Sequence, residues 1–342
     1  MLNQELAIGF DTMGAGDSIN NQIYPFKVTS PDAATIVAGR GSGQALQMTP
    51  GATLQYLPDD NRVGPWGVSV GCAIKYTQLA PADEALICGA FYTDTAITFT
   101  ELLATEDYTA LIIKSGSVWL YEKHQGVLKT TDITSFSPAN WLYFEFRTTT
   151  NATTSTSYWT RVYLHGVQLL GFSSKARSNM PLRVVYAATQ SGAIMIDDVY
   201  THVQVSTANH VVLASAKVKC LPLTEVLETS WSVEGAEPEH TALNDLNDST
   251  GIQSANAAKG KYRISNDVQS VHLVNYHIRA RSDNSSGVMQ INAGKVGSSN
   301  ESALTTIGAT AELRTNIIRG VAHPQYSWER DLNDGASLIL RT

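Results

Sequence analysis

Cysteine is almost missing from this chain: Cys72, Cys88 and Cys220 are the only three in 342 residues. An odd count cannot close into bridges, and no two stand at C-x-x-C spacing, which excludes a disulfide scaffold and a zinc ribbon. Cys72 and Cys88 lie among apolar neighbours and are expected as small core residues. Charge is scarce too, at 16% of residues against roughly 25% for an average soluble domain. Lys and Arg number 24 against 31 Asp and Glu, a net charge of −7. A basic stripe able to displace counterions from phosphate is therefore lacking, and no nucleic-acid partner is expected. No run approaches the ~20 apolar residues that span a bilayer, and the opening MLNQELAIGF has no basic region leading into an apolar one. The expectation is synthesis and folding in a cytosol, without membrane insertion.

Signatures of chemistry are also absent. The eight histidines never stand at H-x-x-x-H spacing, and the odd separation of His272 and His277 puts them on opposite faces of a strand. Gly39–Gly43 lacks the Lys and the following helix that make a phosphate cradle. Retaining glycoside hydrolysis needs two carboxylates about 5–5.5 Å apart. The nearest approach to an E-x-D-x-x-E strand is Glu329-Arg330-Asp331-Leu332-Asn333-Asp334, which ends in Asp and leads into a polar, Gly-containing stretch. These absences predict a protein that is not an enzyme and uses no cofactor or metal.

Thr, Ser, Asn and Gly fill the space left by charge, and they suit strands and turns better than exposed helix faces. Period-two alternation recurs while helical periodicity is hard to find, so the fold is expected to be all-β. In Gly67–Lys75, Val68, Val70, Cys72 and Ile74 share one face. Asn140–Thr148 sets Leu142, Phe144 and Phe146 inward, and Ser157–His165 sets Thr160, Val162 and Leu164 inward. Leu86–Tyr92, Thr109–Lys114, Ser117–Tyr121, Pro181–Ala187 and Ala193–Val205 add strands, enough for two packed sheets. The length suits two domains, and the polar stretch at Ser206–His210 predicts a break there: 1–206, a β-sandwich, and 207–342, a smaller β-rich assembly domain. In the second, Val212–Leu221, Val271–Arg281, Val288–Ala293, Leu313–Arg319 and Leu338–Leu340 read as strands. Residues 228–260 read as a long acidic loop with little regular structure, of a length that needs a reason such as wrapping a neighbour. Neither an internal repeat nor a heptad run is visible, so any oligomer is expected to form through β-surfaces or loops.

Several landmarks follow in order: Gly9-Phe10-Asp11, then Gly39-Arg40-Gly41-Ser42-Gly43-Gln44-Ala45-Leu46, Asn140-Trp141-Leu142-Tyr143-Phe144-Glu145, Tyr163-Leu164-His165-Gly166 and Ile196-Asp197-Asp198-Val199-Tyr200. In this order the first half resembles the LamG-like, concanavalin A-like jelly-roll domains of tailed-phage virion proteins. The second half resembles the module that often follows them, through Leu221-Pro222, Trp231, His240, Leu243-Asn244-Asp245, Asp248–Ile252 and Trp328. It departs from that pattern in having Gly251-Ile252 where an aromatic residue usually stands. The resemblance implies a non-catalytic tail or fibre component assembled in several copies in the host cytoplasm and carried in the virion, with other virion proteins as partners. A capsid decoration protein and a glycan-binding host-recognition adhesin are the alternatives.

Two places invite a sharper reading. Some LamG-like domains hold calcium through carboxylates, but adjacent Asp197 and Asp198 on a strand should point to opposite faces, one capping loop amides and the other exposed. The outward row Tyr143, Glu145, Arg147 with Trp159, Arg161 and Tyr163 carries aromatic rings and forked charges of the kind that bind a sugar or a protein. Ordinary cross-strand pairs, a subunit contact and a host-surface glycan site all remain open for it.

Overall fold

The computed structural model describes residues 4–10, 13, 19, 26–41, 43–58, 66–76, 83–93, 95, 98–135, 140–150, 158–174, 181–204, 213, 217–219, 221–235, 238–244, 250–265, 275–280, 289–295, 305–307, 314–319 and 336–341. The chain forms two compact units, Met1–Val218 and Lys219–Thr342. The first unit keeps its hold on the chain beyond the expected break after residue 206, because backbone amides at Leu213 and Val218 are tied to carboxylates within it.

The first unit is all-β. Its strands are β1 (Gln4–Ile8), β2 (Phe26–Val28), β3 (Ala34–Ala38), β4 (Gln44–Met48), β5 (Leu54–Tyr56), β6 (Trp66–Tyr76) and β7 (Glu84–Phe91). After helix α1 (Phe99–Ala104) come β8 (Tyr108–Lys114), β9 (Ser117–His124), β10 (Val127–Ser135), β11 (Leu142–Thr150) and β12 (Tyr158–Leu164). The last three are β13 (Val167–Ser174), β14 (Arg183–Thr189) and β15 (Ile194–Gln204). One antiparallel sheet runs β13-β12-β11-β6-β15-β4-β3, with β1 also on β15; the other runs β10-β9-β8-β7-β14-β5-β2. Such paired antiparallel sheets make a β-sandwich of the jelly-roll kind.

Alternation decides which side chains fill the layer between the sheets. Val70, Cys72, Phe144 and Phe146 come from the first sheet, and Cys88, Leu111, Leu120 and Tyr186 from the second, all fully or almost fully buried. Cys72 and Cys88 are free thiols in this layer, and burial, then Cys72, pushes the Cys88 thiol up. Three two-residue hairpins, Ser115-Gly116, Gln125-Gly126 and His165-Gly166, have positive φ at both residues. That is the turn whose twist matches the strands it joins, and it fixes their register without a bulge at the loop.

The far face of the second sheet is covered by α1. Thr98 and Glu101 close a capping box on this helix, and Phe99 and Leu102 bury against Leu86, Tyr108, Ile112 and Val185. A six-residue helix is too short to show a period, so it leaves no helical pattern in the sequence.

In the second unit, β16 (Leu223–Thr229), β19 (Lys259–Ile264), β21 (Met289–Lys295), β22 (Thr305–Ile307) and β24 (Ala336–Arg341) form one sheet in the order β16-β19-β24-β21-β22. Two ribbons pair β17 (Ser232–Glu234) with β18 (Gly251–Gln253) and β20 (Asn275–Ala280) with β23 (Arg314–Arg319). Two expectations are corrected here. Within the expected strand Val212–Leu221, the described residues Leu213, Lys217–Lys219 and Leu221 are irregular, and β16 begins at Leu223. Residues 228–260 are not simply a loop, since they hold β17, α2 (Glu239–Ala242), β18 and the start of β19. These elements run to only three or four residues apiece before β19, and the acidic run hid a structural role for one of them. Buried Glu239 accepts hydrogen bonds from the Thr229 hydroxyl at 2.6 Å and the Tyr262 phenol at 2.5 Å. Burial, then Glu239, raises the Tyr262 phenol. The Asn244 side chain accepts from the Leu223 amide and donates to the Leu223 carbonyl, each at 2.8 Å.

Candidate functional site

The outer face of the first sheet collects the row predicted from sequence. Inward-pointing Phe144 and Phe146 send Tyr143, Glu145 and Arg147 outward on β11, and Val162 does the same for Trp159, Arg161 and Tyr163 on β12. In register, Glu145 faces Tyr163, Arg147 faces Arg161 and Thr149 faces Trp159. On the other side of β11, the outward residues of β6 are Gly67, Ser69, Gly71 and Ala73, opposite Thr149, Arg147, Glu145 and Tyr143. A strand with almost no side chains thus runs beside one with large ones. Beyond it on β15 lie Tyr200 opposite Gly71 and His202 opposite Ser69, both buried.

The six predicted residues share the face but not the same exposure. Trp159 is 46% exposed, Arg161 is exposed and Arg147 half-buried, whereas Tyr143, Glu145 and Tyr163 are buried. Their partners explain the gradient. Tyr143 lies across Gly71, where an added Cβ would sit 2.7 Å from its hydroxyl, and Arg40 stands 5.9 Å from the centroid of its ring. Burial, then the charge of Glu145, raises the Tyr143 phenol well above its ordinary range. Glu145 accepts a 2.7 Å hydrogen bond from the Leu213 amide, tying down the segment that leaves the sandwich. Arg147 is pulled down to about 10, first by burial and then by Arg161. It stays charged at neutral pH.

Asp197 and Asp198 depart from expectation. The β15 register slips between Asp197 and Tyr200, Asp198 sits at φ 50°, and both carboxylates are buried. A bulge of this kind breaks strict alternation, so the rule that adjacent residues face opposite ways fails at this point. Asp197 accepts from the Asp198 amide at 2.8 Å and the Arg40 amide at 3.0 Å. Asp198 takes the Arg40 guanidinium at 3.0 Å and the Val218 amide at 2.8 Å. Its carboxyl is nonetheless raised, because burial outweighs these partners. Among the described residues no three His, Cys, Asp or Glu side chains come together as a metal site. Arg40 is the residue that sequence reasoning passed over: the Gly39-Arg40-Gly41-Ser42-Gly43 and Ile196-Asp197-Asp198 segments were both visible, but not that one clasps the other across the sheet. Glu329–Asp334 and His272 lie outside the described residues.

The sequence matches no protein family and no curated protein. Solved structures do match. The endo-β-1,4-glucuronan lyase of the fungus Trichoderma reesei is 12% identical with a TM-score of 0.39, over 57% of this chain and 94% of that one. The carbohydrate-binding module CBM66 from Bacillus subtilis is 8% identical, TM-score 0.32, over 52% and 94%. A carbohydrate esterase of the Shiga toxin-encoding bacteriophage phi24B is 14% identical, TM-score 0.34, over 52% and 90%. At these levels the likeness concerns the sandwich alone. One expectation is corrected by it: the chain was read as not an enzyme, yet polysaccharide lyases are among the structures that share its sandwich. Each missing motif tests for one chemistry, and the missing carboxylate pair for glycoside hydrolysis only, so their absence does not exclude a lyase.

Proposed function

We propose that the outer face of the first sheet binds glycan, with Trp159 as the ring on which a sugar stacks. The observation that carries this reading is the placement of Trp159: a large indole, 46% exposed, on a sheet face between hydrogen-bonding and charged groups. An exposed aromatic plane buries much area at little entropic cost, and forked donors beside it fix orientation. Binding of the full chain to a polysaccharide array tests it. Trp159→Ala should abolish the signal while leaving the circular dichroism unchanged, and binding that survives this change refutes the reading.

A second reading is assembly with further copies, favoured by the free edges of the sandwich. Edge strands β10 and β13 run beside each other and expose Val127 (73%), Leu128 (47%), Val167 (65%) and Leu169 (37%). Unpaired edges with apolar side chains invite pairing. The resemblance to phage virion proteins supports placing such copies in a particle. Light scattering of the wild type against Val127→Asp with Val167→Asp tests it: an oligomer that becomes a monomer supports the reading, and a monomeric wild type refutes it.

A further inference from the structure

Arg147 and Arg161 stand directly opposite each other in the β11–β12 register. Cross-strand neighbours have Cβ atoms about 4.5–5.5 Å apart, and like charges placed so repel. A neighbouring carboxylate is the usual remedy. Among the described residues, no Asp or Glu forms an ion pair with either guanidinium. The carboxylate best placed to do so is Glu145, two residues before Arg147 on the same face, and it is turned to the Leu213 amide. Arg147 is partly desolvated as well, which makes an uncompensated charge costlier than on open surface. This occurs in a chain where acidic residues outnumber basic ones, 31 to 24. Two forked cations thus face each other across the strands with no ion-paired carboxylate among the described residues.

Resting on the glycan reading above, we propose that the ligand is an acidic polysaccharide, and that Arg147 and Arg161 together take the carboxylate of a uronate residue while Trp159 covers an adjoining part of the sugar chain. A planar guanidinium matches a carboxylate with two parallel hydrogen bonds, and two guanidiniums facing each other can share one carboxylate between them. Trp159 lies two residues from Arg161 on the same face of β12, about 7 Å along the strand. A sugar held by its carboxylate at the arginines therefore brings its own ring or the next over the indole. A neutral glycan would leave the repulsion standing; an anionic one removes it.

The test uses the full chain and isothermal calorimetry with hexamers of galacturonate, glucuronate and mannuronate, with methyl-esterified hexagalacturonate, cellohexaose and sulfated dextran alongside. At least one uronate hexamer should bind, with Arg161→Ala and Arg147→Ala each weakening it tenfold or more and Arg161→Lys falling between. Methyl esterification should cost as much as the Ala variants. Arg161 is exposed, so its removal leaves the fold intact, and the unliganded Arg161→Ala protein should melt no lower than the wild type because a repulsion is gone. A lower melting temperature would give Arg161 a structural partner and overturn the proposal. Equal binding of cellohexaose, unaffected by Arg161→Ala, overturns it while sparing the glycan reading. Equal binding of sulfated dextran shows a site that reads charge alone and overturns the uronate assignment. Binding of none of these sugars overturns both readings.

Discussion

Arg40→Ala isolates what holds the bulged end of β15 to the Gly39–Gly43 turn. The substitution leaves the Arg40 amide on Asp197 in place but removes the guanidinium 3.0 Å from Asp198. Asp198 then keeps the Val218 amide and the charge of Lys217 against a burial that already outweighs its partners. The protein has one escape, which is to protonate the carboxyl. A carboxyl that is ionised in the unfolded chain with a pKa near 3.9 costs about 1.4 kcal/mol per pH unit to protonate, so about 4 kcal/mol at pH 7. That figure caps the electrostatic part of the loss. The sign follows from proton counting: folding of the variant takes up a proton, so its stability falls as pH rises and recovers as pH drops toward the unfolded value. Equilibrium urea unfolding followed by tryptophan fluorescence should show a loss of about 2–4 kcal/mol at pH 7 that shrinks by at least about 1 kcal/mol at pH 5. Asp198→Asn, which removes the buried charge and keeps an acceptor for Val218, should cost less than Arg40→Ala at pH 7. A loss for Arg40→Ala that is the same at both pH values refutes this account of the cluster.

Two other outcomes follow from local geometry. Gly71→Ala places a Cβ 2.7 Å from the Tyr143 hydroxyl and 3.1 Å from the Glu145 side chain. It should lower stability by about 1–3 kcal/mol, and adding Tyr143→Phe, which deletes the clashing oxygen, should restore part of the loss in thermal melts. Glu239→Gln exchanges a carboxylate that takes two short hydrogen bonds for a neutral amide. It should cost about 1–2 kcal/mol, seen in hydrogen exchange as faster opening confined to Lys219–Thr342.

The strands with clean alternation were legible in the sequence because burial on one side imposes a two-residue period. Gly67–Lys75 came out as Trp66–Tyr76, and Ala193–Val205 as Ile194–Gln204. Val127–Ser135 was invisible for the opposite reason: as an edge strand with exposed and half-exposed side chains, it has no apolar face to alternate. The row around Trp159 could be read from alternation alone, but its division into exposed and buried members could not. That division depends on Gly71 admitting Tyr143 and on Leu213 reaching Glu145, contacts that join positions far apart in the chain. The bulge at Asp198 is a backbone event that leaves no mark on a hydrophobic pattern. It defeated the reading of Asp197 and Asp198 for that reason.

The position of β15 bears on how the molecule is made. Hairpins β8-β9-β10 and β11-β12-β13 close over neighbouring residues, whereas β15 fits between β6 and β4, pairing Tyr200 with Gly71 and Ile196 with Leu46. A growing chain can zip its hairpins early, yet the first sheet stays open down its middle until residue 204 has left the ribosome. Until then β6 presents an unpaired edge to whatever is nearby, and a nascent neighbour carrying the same β15 is a competing partner. The last strand of the sandwich is thus the point at which correct folding and exchange of strands between copies part ways.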